Sequence, residues 1–201
     1  HKKQSGGRGQ FGDCWIRLAP KPRGAGYEFI NSIKGGVIPT KFIPSVDRGI
    51  QEASAKGAIA GYRLVDFSAE CYFGSYHAVD SSDIAFKLAG SVALRTVAEK
   101  CKPVLLEPVL ELAVTTPDEY LGDIMGDLTS RRGKVQGMDP AEGRTTVRAL
   151  VPESELYKYA ATLRSMTQGR ASHSRKLAGY EPAPPEIAKK VAAERAEEEA
   201  H

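Results

Sequence analysis

The stretch "VLELAVTTPDEYLGDIMGDLTS", residues 109–130, decides the fold. Leu110, Leu112 and Val114 alternate with Glu111 and Ala113, the two-residue period of a half-buried strand. Thr116-Pro117-Asp118-Glu119 then supplies an N-cap, a proline at the first helical position and a capping-box glutamate. Tyr120, Ile124 and Leu128 share one helical face until Arg131, Arg132 and Gly133 end the helix. Downstream, "KVQGMD" (134–139) and "RTTVRALVP" (144–152) read as strands joined by the turn Pro140-Ala141-Glu142-Gly143. Pro152 opens a second helix with Leu156, Ala160 and Leu163 inward, and "RASHSRKLAGY" (170–180) closes as a strand. The order β-α-β-β-α-β is the split βαβ arrangement, four strands carrying two helices on one face.

Upstream lies a different α/β unit. Cys14, Ile16 and Leu18 alternate with Trp15 and Arg17, and Pro20, Pro22, Gly24 and Gly26 mark a turn into a returning strand, "YEFINSI" (27–33). A helix over Pro44–Lys56 places Val46, Ile50 and Ala53 on one face and stops at Gly57. "YRLVDFSAECY" (62–72) is the next strand, and a helix from Ser82 through Lys100 carries Ile84, Leu88 and Val92 along one stripe. The basic leader runs into a loop with no strand before it, as in a fragment of something longer. The units join near "CKPVLLEP" (101–108), giving domains at 1–102 and 103–181. The tail, 182–201, is polar, Pro-rich and then rich in Ala, Glu, Lys and Arg; it is expected to form a weakly docked or fraying helix, or none.

Composition narrows the class. The 201 residues are 41% hydrophobic and contain no apolar run of the roughly 20 residues a bilayer-spanning helix needs. Lys2 and Lys3 lead into glycines rather than a signal-peptide core. Cys14, Cys71 and Cys101 are far apart with no C-x-x-C spacing, which argues against a zinc site or a disulfide framework and for a reducing, cytoplasmic compartment. Net charge is uneven: +6 over residues 1–102, −1 over 103–181 and −2 over the tail. A basic first half suits a polyanion, although a chance surplus on a solvated surface gives the same count.

Two loops carry the candidate chemistry. In "QSGGRGQFG" (4–12) the phosphate-loop pattern is absent, because Asp13 and Cys14 follow Gly12 where lysine and a hydroxyl are required. Gly7, Gly9 and Gly12 match G-x-G-x-x-G, but they precede a strand, whereas the dinucleotide motif follows one. Two readings remain: a structural turn, or glycines that let backbone approach RNA with Lys3 and Arg8 near phosphate. In "YFGSYHAVDSSD" (72–83), Tyr72, Phe73 and Tyr76 are interleaved with Gly74, Ser75 and His77, a composition able to stack on bases and read sugar edges. The alternative puts Tyr72 and Phe73 in the core, with Asp80 or Ser81 capping the next helix. No nucleophile or orienting carboxylate is implied beside His77, which argues against a catalytic base. Asp80 and Asp83 lack the regular oxygen spacing of a hard-cation loop. Arg131 and Arg132, and Arg170, His173, Arg175 and Lys176 on the last strand, suit either RNA or a charged outer surface.

The motifs "QSGGRGQFG", "GGVIPTKFIPSVDRGI" (35–50), "GSYHAVDSSDIAFKLAGS" (74–91), "LEPVLELAVTTPDEYLGDIMGDLTSRRGKVQGM" (106–138) and "LRSMTQGRA" (163–171) resemble the C-terminal third of bacterial elongation factor G, from about Gln4 to Tyr180. The resemblance implies an α/β (α+β) chain of two domains. The first is an elongated domain IV with a left-handed βαβ crossover, similar to a small-subunit ribosomal-protein fold; the second is a ferredoxin-like domain V. It implies a part of a translational GTPase that moves tRNA and mRNA through the ribosome. GTP and Mg would belong to the GTPase domain, leaving no catalytic residue and no cofactor here. By resemblance, the tip entering the small-subunit decoding site is Ser5, Gly6, Gly7, Arg8, Gly9 and Gln10 with Gly74, Ser75, Tyr76, His77, Asp80 and Ser81. The second domain would lie against large-subunit rRNA near the GTPase-activating centre. A cytoplasmic monomer without membrane contact is expected. Phe73 stands where an acidic residue is usual, and the last strand and tail are unlike the commonest form. A paralogue acting in ribosome recycling or ribosome protection is therefore the alternative. A stand-alone ferredoxin-like enzyme, the distant third reading, would need a polar pocket with a perturbed acid or base, and the sequence offers no such cluster.

Overall fold

The computed structural model describes residues 1–4, 7, 9–57 and 59–199. They form two compact units, His1–Pro103 together with the residues from Glu186 onward, and Val104–Pro185.

The first unit opens with a short ladder that the sequence pattern did not reveal. Strand β1 (Lys2–Lys3) pairs antiparallel with β2 (Gln10–Phe11). The His1 amino group donates to the Gly12 carbonyl (2.7 Å), and the Gly12 N–H donates back to His1 (2.9 Å), extending it. Strands β3 (Asp13–Pro20), β4 (Tyr27–Asn31) and β5 (Phe67–Ser75) form a sheet in the order β3-β5-β4. The returning strand β4 is thus not hydrogen-bonded to β3. It runs parallel to β5, which inserts between them and pairs antiparallel with β3. The small inward residues Ala69 and Cys71 suit β5 to this central position, where both are fully buried.

Helices α1 (Ile43–Lys56) and α2 (Asp83–Lys100) cover the inner face. On α1 the expected residues Val46, Ile50 and Ala53 are buried. On α2 the expected stripe is on the wrong side: Ile84 is 63% exposed, and Leu88 and Val92 also face water. The buried face is Ala85, Phe86, Ala89, Gly90, Leu94 and Ala98. The reason is close helix approach. A Cβ on Gly49 would stand 1.9 Å from the Lys87 carbonyl oxygen, and one on Gly90 would stand 2.4 Å from that of Val46. At Gly49 and Gly90 the two backbones approach too closely for any side chain, and Ile84, Leu88 and Val92 lie on the outward side of α2. Residues 62–66, expected as strand, are loop: Asp66 has φ 58°, and its carboxylate accepts the Gly26 N–H at 3.0 Å. The Ser82 hydroxyl, not Asp80 or Ser81, caps α2 by accepting the Ala85 N–H.

The second unit contains β6 (Leu106–Pro117), α3 (Leu121–Ser130), β7 (Lys134–Ala141), β8 (Arg144–Pro152), α4 (Tyr159–Met166) and β9 (Ser172–Pro182). The antiparallel sheet has the order β7-β8-β6-β9, and both helices pack on the face bearing Leu112, Val114, Val147 and Val151. This is the ferredoxin-like arrangement expected from the element order.

Three local expectations fail, each for a physical reason. The capping box does not form. The Asp118 carboxylate instead accepts the Thr145 hydroxyl (2.7 Å), Glu119 pairs with Arg170 (2.7 Å), and α3 starts after a 3₁₀ turn with no side-chain cap. The β7–β8 turn shrinks to Glu142-Gly143, both at positive φ (49° and 78°), while Pro140 and Ala141 stay in the strand. The second helix is split: a 3₁₀ turn at Glu153–Leu156 precedes Lys158 at φ 54°, and the resulting phase change buries Tyr159 and exposes Ala160.

The polar tail forms helix α5 (Pro185–Glu199), with the Arg195 guanidinium 5.2 Å from the Tyr62 ring centroid. No helix among the described residues is long and apolar enough to cross a membrane.

Candidate nucleic-acid interface

The two loops singled out by composition meet. The ladder β1–β2 carries the glycine-rich loop, and the segment between β5 and α2 carries His77. Ser81 stitches them: its buried hydroxyl donates to the Phe11 carbonyl (2.9 Å) and accepts the His77 N–H (2.9 Å). The Phe11 N–H donates to the Asp80 carbonyl at 2.9 Å, and the Phe11 and His77 rings lie 6.4 Å apart. The seam is tight, against the mobile Asp80 carboxylate at Gly9 and against helix backbone at Gly12, where glycine is required. A Cβ on Gly9 would fall 2.9 Å from the Asp80 carboxyl carbon, and one on Gly12 would fall 2.6 Å from the Ala85 carbonyl oxygen. Lys2, Gln4, Gln10, Phe11, His77 and Asp80 line a cleft of about 160 Å³ there.

His77 is held by its own loop. Its Nδ1 accepts the N–H groups of Val79 (3.3 Å) and Asp80 (3.2 Å). A neutral ring in that arrangement carries its proton on Nε2, which becomes the donor offered to a ligand. A protonated ring would set Nδ1–H against Asp80 Oδ2, 3.4 Å away.

Gly9, Gln10, His77, Asp80 and Ser81 are therefore brought together. Ser75 lies at the loop's start, where its hydroxyl donates to Asp13 Oδ2 (2.8 Å), and Tyr76 is half exposed. Gly74 is buried beneath the loop, since a Cβ there would meet the Asp13 carbonyl oxygen at 2.2 Å. Gly7 has open space where a Cβ would stand. Ser5, Gly6 and Arg8 lie outside the described residues. Phe11, Lys2 and Gln4 were not anticipated; the aromatic directly after Gly9-Gln10 was the available signal.

Tyr72 and Phe73 are not in the core. The β3–β5 register slips between Trp15 and Ile16, so Trp15 faces Phe73 while Ile16 faces Cys71. Tyr72 is the extra residue of this bulge, and both rings pack edge-on against Trp15, at 6.4 and 5.4 Å.

Other candidate groups have structural partners. Arg132 forms a two-point pair with Glu107 (2.7 and 2.9 Å) and reaches Glu155 (2.9 Å). The bonds to Glu107, then to Glu155, push the guanidinium above its ordinary value despite partial burial. Arg131 binds Asp127 at 2.9 Å, Lys176 pairs with Glu111 at 2.9 Å, and His173 packs edge-on against Tyr159 at 5.3 Å. Burial pushes the Cys14 thiol up to about 12 and that of Cys71 to about 11, which keeps both protonated and inert. Among the described residues no group of three His, Cys, Asp or Glu side chains is placed to hold a metal ion.

Comparison with known proteins agrees with this two-part architecture. The family model described as "Elongation factor G, domain IV" matches residues 1–102, and that described as "Elongation factor G C-terminus" matches residues 104–191. The chain is 52% identical over 193 residues to "Elongation factor G" of Aquifex pyrophilus, covering 96% of this chain and 28% of that relative. It also superimposes on a crystal structure of a Thermus thermophilus protein with a TM-score of 0.85 and 42% identity, covering 98% of this chain and 29% of that one. The chain thus spans less than a third of the length of these relatives, and from end to end of that span it belongs to the elongation factor G family.

Proposed function

We propose that this chain is the ribosome-engaging part of a translational GTPase, and that the tip built around the β1–β2 ladder and the 75–82 loop enters the small-subunit decoding site during tRNA–mRNA translocation. The observation that carries the reading is the Ser81 stitch. It joins the end of the glycine-rich basic segment, at Phe11, to the histidine loop, within residues 1–102 whose net charge is +6. Glycine lets backbone approach a crowded RNA surface, lysine and arginine neutralise phosphate, and the His77 Nε2–H supplies a directional donor. The second unit would rest on large-subunit rRNA near the GTPase-activating centre. GTP and Mg would act in a GTPase domain outside this chain, which itself supplies no catalytic residue and works as a cytoplasmic monomer.

The test is His77→Ala in the full-length factor. Loss of one directional hydrogen bond in the moving complex, ~1.4 kcal/mol, slows single-round translocation roughly tenfold. GTP hydrolysis stays at the parental rate. Normal single-round translocation in the variant contradicts the proposal. A parent that splits post-termination ribosomes with recycling factor yet fails to translocate assigns the same tip to recycling instead.

A further inference from the structure

Strands β3 and β5 have a second face. Cys14, Ile16 and Leu18 turn toward the helices, and Trp15 and Arg17 turn away from them. Trp15 is 51% exposed and Phe73 is 46% exposed, although full burial of one such ring is favourable by about 1.5–3 kcal/mol. The bulge at Tyr72 gathers both neighbouring rings around the indole, with interplanar angles of 87° and 85°. The Arg17 guanidinium lies 4.6 Å from the Tyr72 centroid and is anchored by Glu70 at 2.8 Å.

We infer that Trp15, Tyr72, Phe73 and Arg17 form a stacking platform for an unpaired RNA base. Edge-to-face packing fixes the rings in place, as a base-stacking surface requires. A guanidinium layered on a phenol ring extends that surface, its charge balanced by Glu70. The +6 charge of residues 1–102 complements a polyanion. The platform also continues into the tip: Trp15 and Phe73 lie two rungs along the ladder from Asp13 and Ser75, about 7 Å away. A strand engaged at the tip can therefore present its next unpaired base here. This inference shares with the proposed function only the premise that the first unit meets RNA.

Trp15 is the single tryptophan of the chain, so its emission reports the platform directly. The 201-residue chain is titrated at low salt with a short dye-labelled oligoadenylate, following Trp15 emission and dye anisotropy together. Quenching that tracks binding is expected. Tyr72→Ala and Trp15→Ala weaken the anisotropy-detected affinity about 5- to 150-fold, equivalent to ~1–3 kcal/mol for a base stacked on an aromatic ring, while Trp15→Phe keeps most of it. Affinity that falls in His77→Ala but not in Trp15→Ala places the RNA at the tip alone and overturns the inference. Binding without quenching, affinity unchanged in Trp15→Ala, or no RNA binding at all overturns the inference. A photoreactive residue at position 15 of the full-length factor on ribosomes gives the second reading. An rRNA adduct supports the platform, and an adduct confined to a ribosomal protein overturns it.

Discussion

Gly49→Ala tests the packing that supports the tip. At this position a Cβ would sit 1.9 Å from the Lys87 carbonyl oxygen, whereas ordinary contact begins at 3.4 Å. The obstacle is helix backbone, so α1 and α2 must part by about 1.5 Å rather than shift a side chain. Overpacking of this kind costs roughly 1–3 kcal/mol, and a clash with backbone belongs at the upper end. Alanine in a helix interior recovers up to about 1 kcal/mol over glycine. The net effect is a loss of ~2 kcal/mol in the first unit. With m near 2 kcal/mol/M, that lowers the urea midpoint by about 1 M. Trp15 emission follows this transition, because the only tryptophan lies in that unit. Gly126→Ala in α3 is the control. Nothing lies within 4 Å of its added methyl, so it stabilises the second unit by ~0.5–1 kcal/mol and leaves the Trp15 transition in place. A neutral or stabilising Gly49→Ala refutes the close helix approach.

Two further perturbations have definite signs. The Gly26 N–H, with help from Gly24 and the nearby Arg23 and Lys21 charges, holds the Asp66 carboxyl below its ordinary value against a smaller opposing effect of burial. A lowered folded value means stability that is present above about pH 3.9 and lost as pH falls through the folded value. Asp66→Asn should therefore lower stability at neutral pH and flatten the acid limb of the first unit's stability curve; an unchanged limb refutes this. Glu142→Asn places Asn-Gly at a turn with two positive φ values, and should raise the second unit's midpoint by ~0.5 kcal/mol in urea melts; a lower midpoint contradicts the turn assignment.

The legible parts of the fold were those whose pattern coincided with burial. Leu112, Val114, Ile124, Leu128 and Leu163 lie at the core of the second unit because strand and helix periods place them on facing surfaces. The buried face of α2 was hidden because glycine and alanine carry little hydrophobic signal, although close packing selects them. The phase of α4 was hidden by one left-handed residue, Lys158. The capping box was lost to tertiary partners, Thr145 and Arg170, that no local pattern contains. At the site, each loop was recognisable by composition. Their meeting was not, because it depends on a hydrogen bond between Ser81 and Phe11, 70 residues apart. The aromatic cluster was misplaced because a one-residue bulge decides which face Tyr72 and Phe73 occupy.

The location of the tip on the ribosome can be measured directly. In the full-length factor with Cys101, the exposed thiol of this chain, replaced by serine, a cysteine at Tyr76 carries a tethered iron chelate that generates hydroxyl radicals. Cys14 and Cys71 stay unmodified because burial keeps their thiols protonated. The account predicts strand breaks in the decoding-site RNA of the small subunit from position 76, and breaks in large-subunit RNA from a probe at the exposed Tyr157. Breaks from position 76 confined to the large subunit would contradict it.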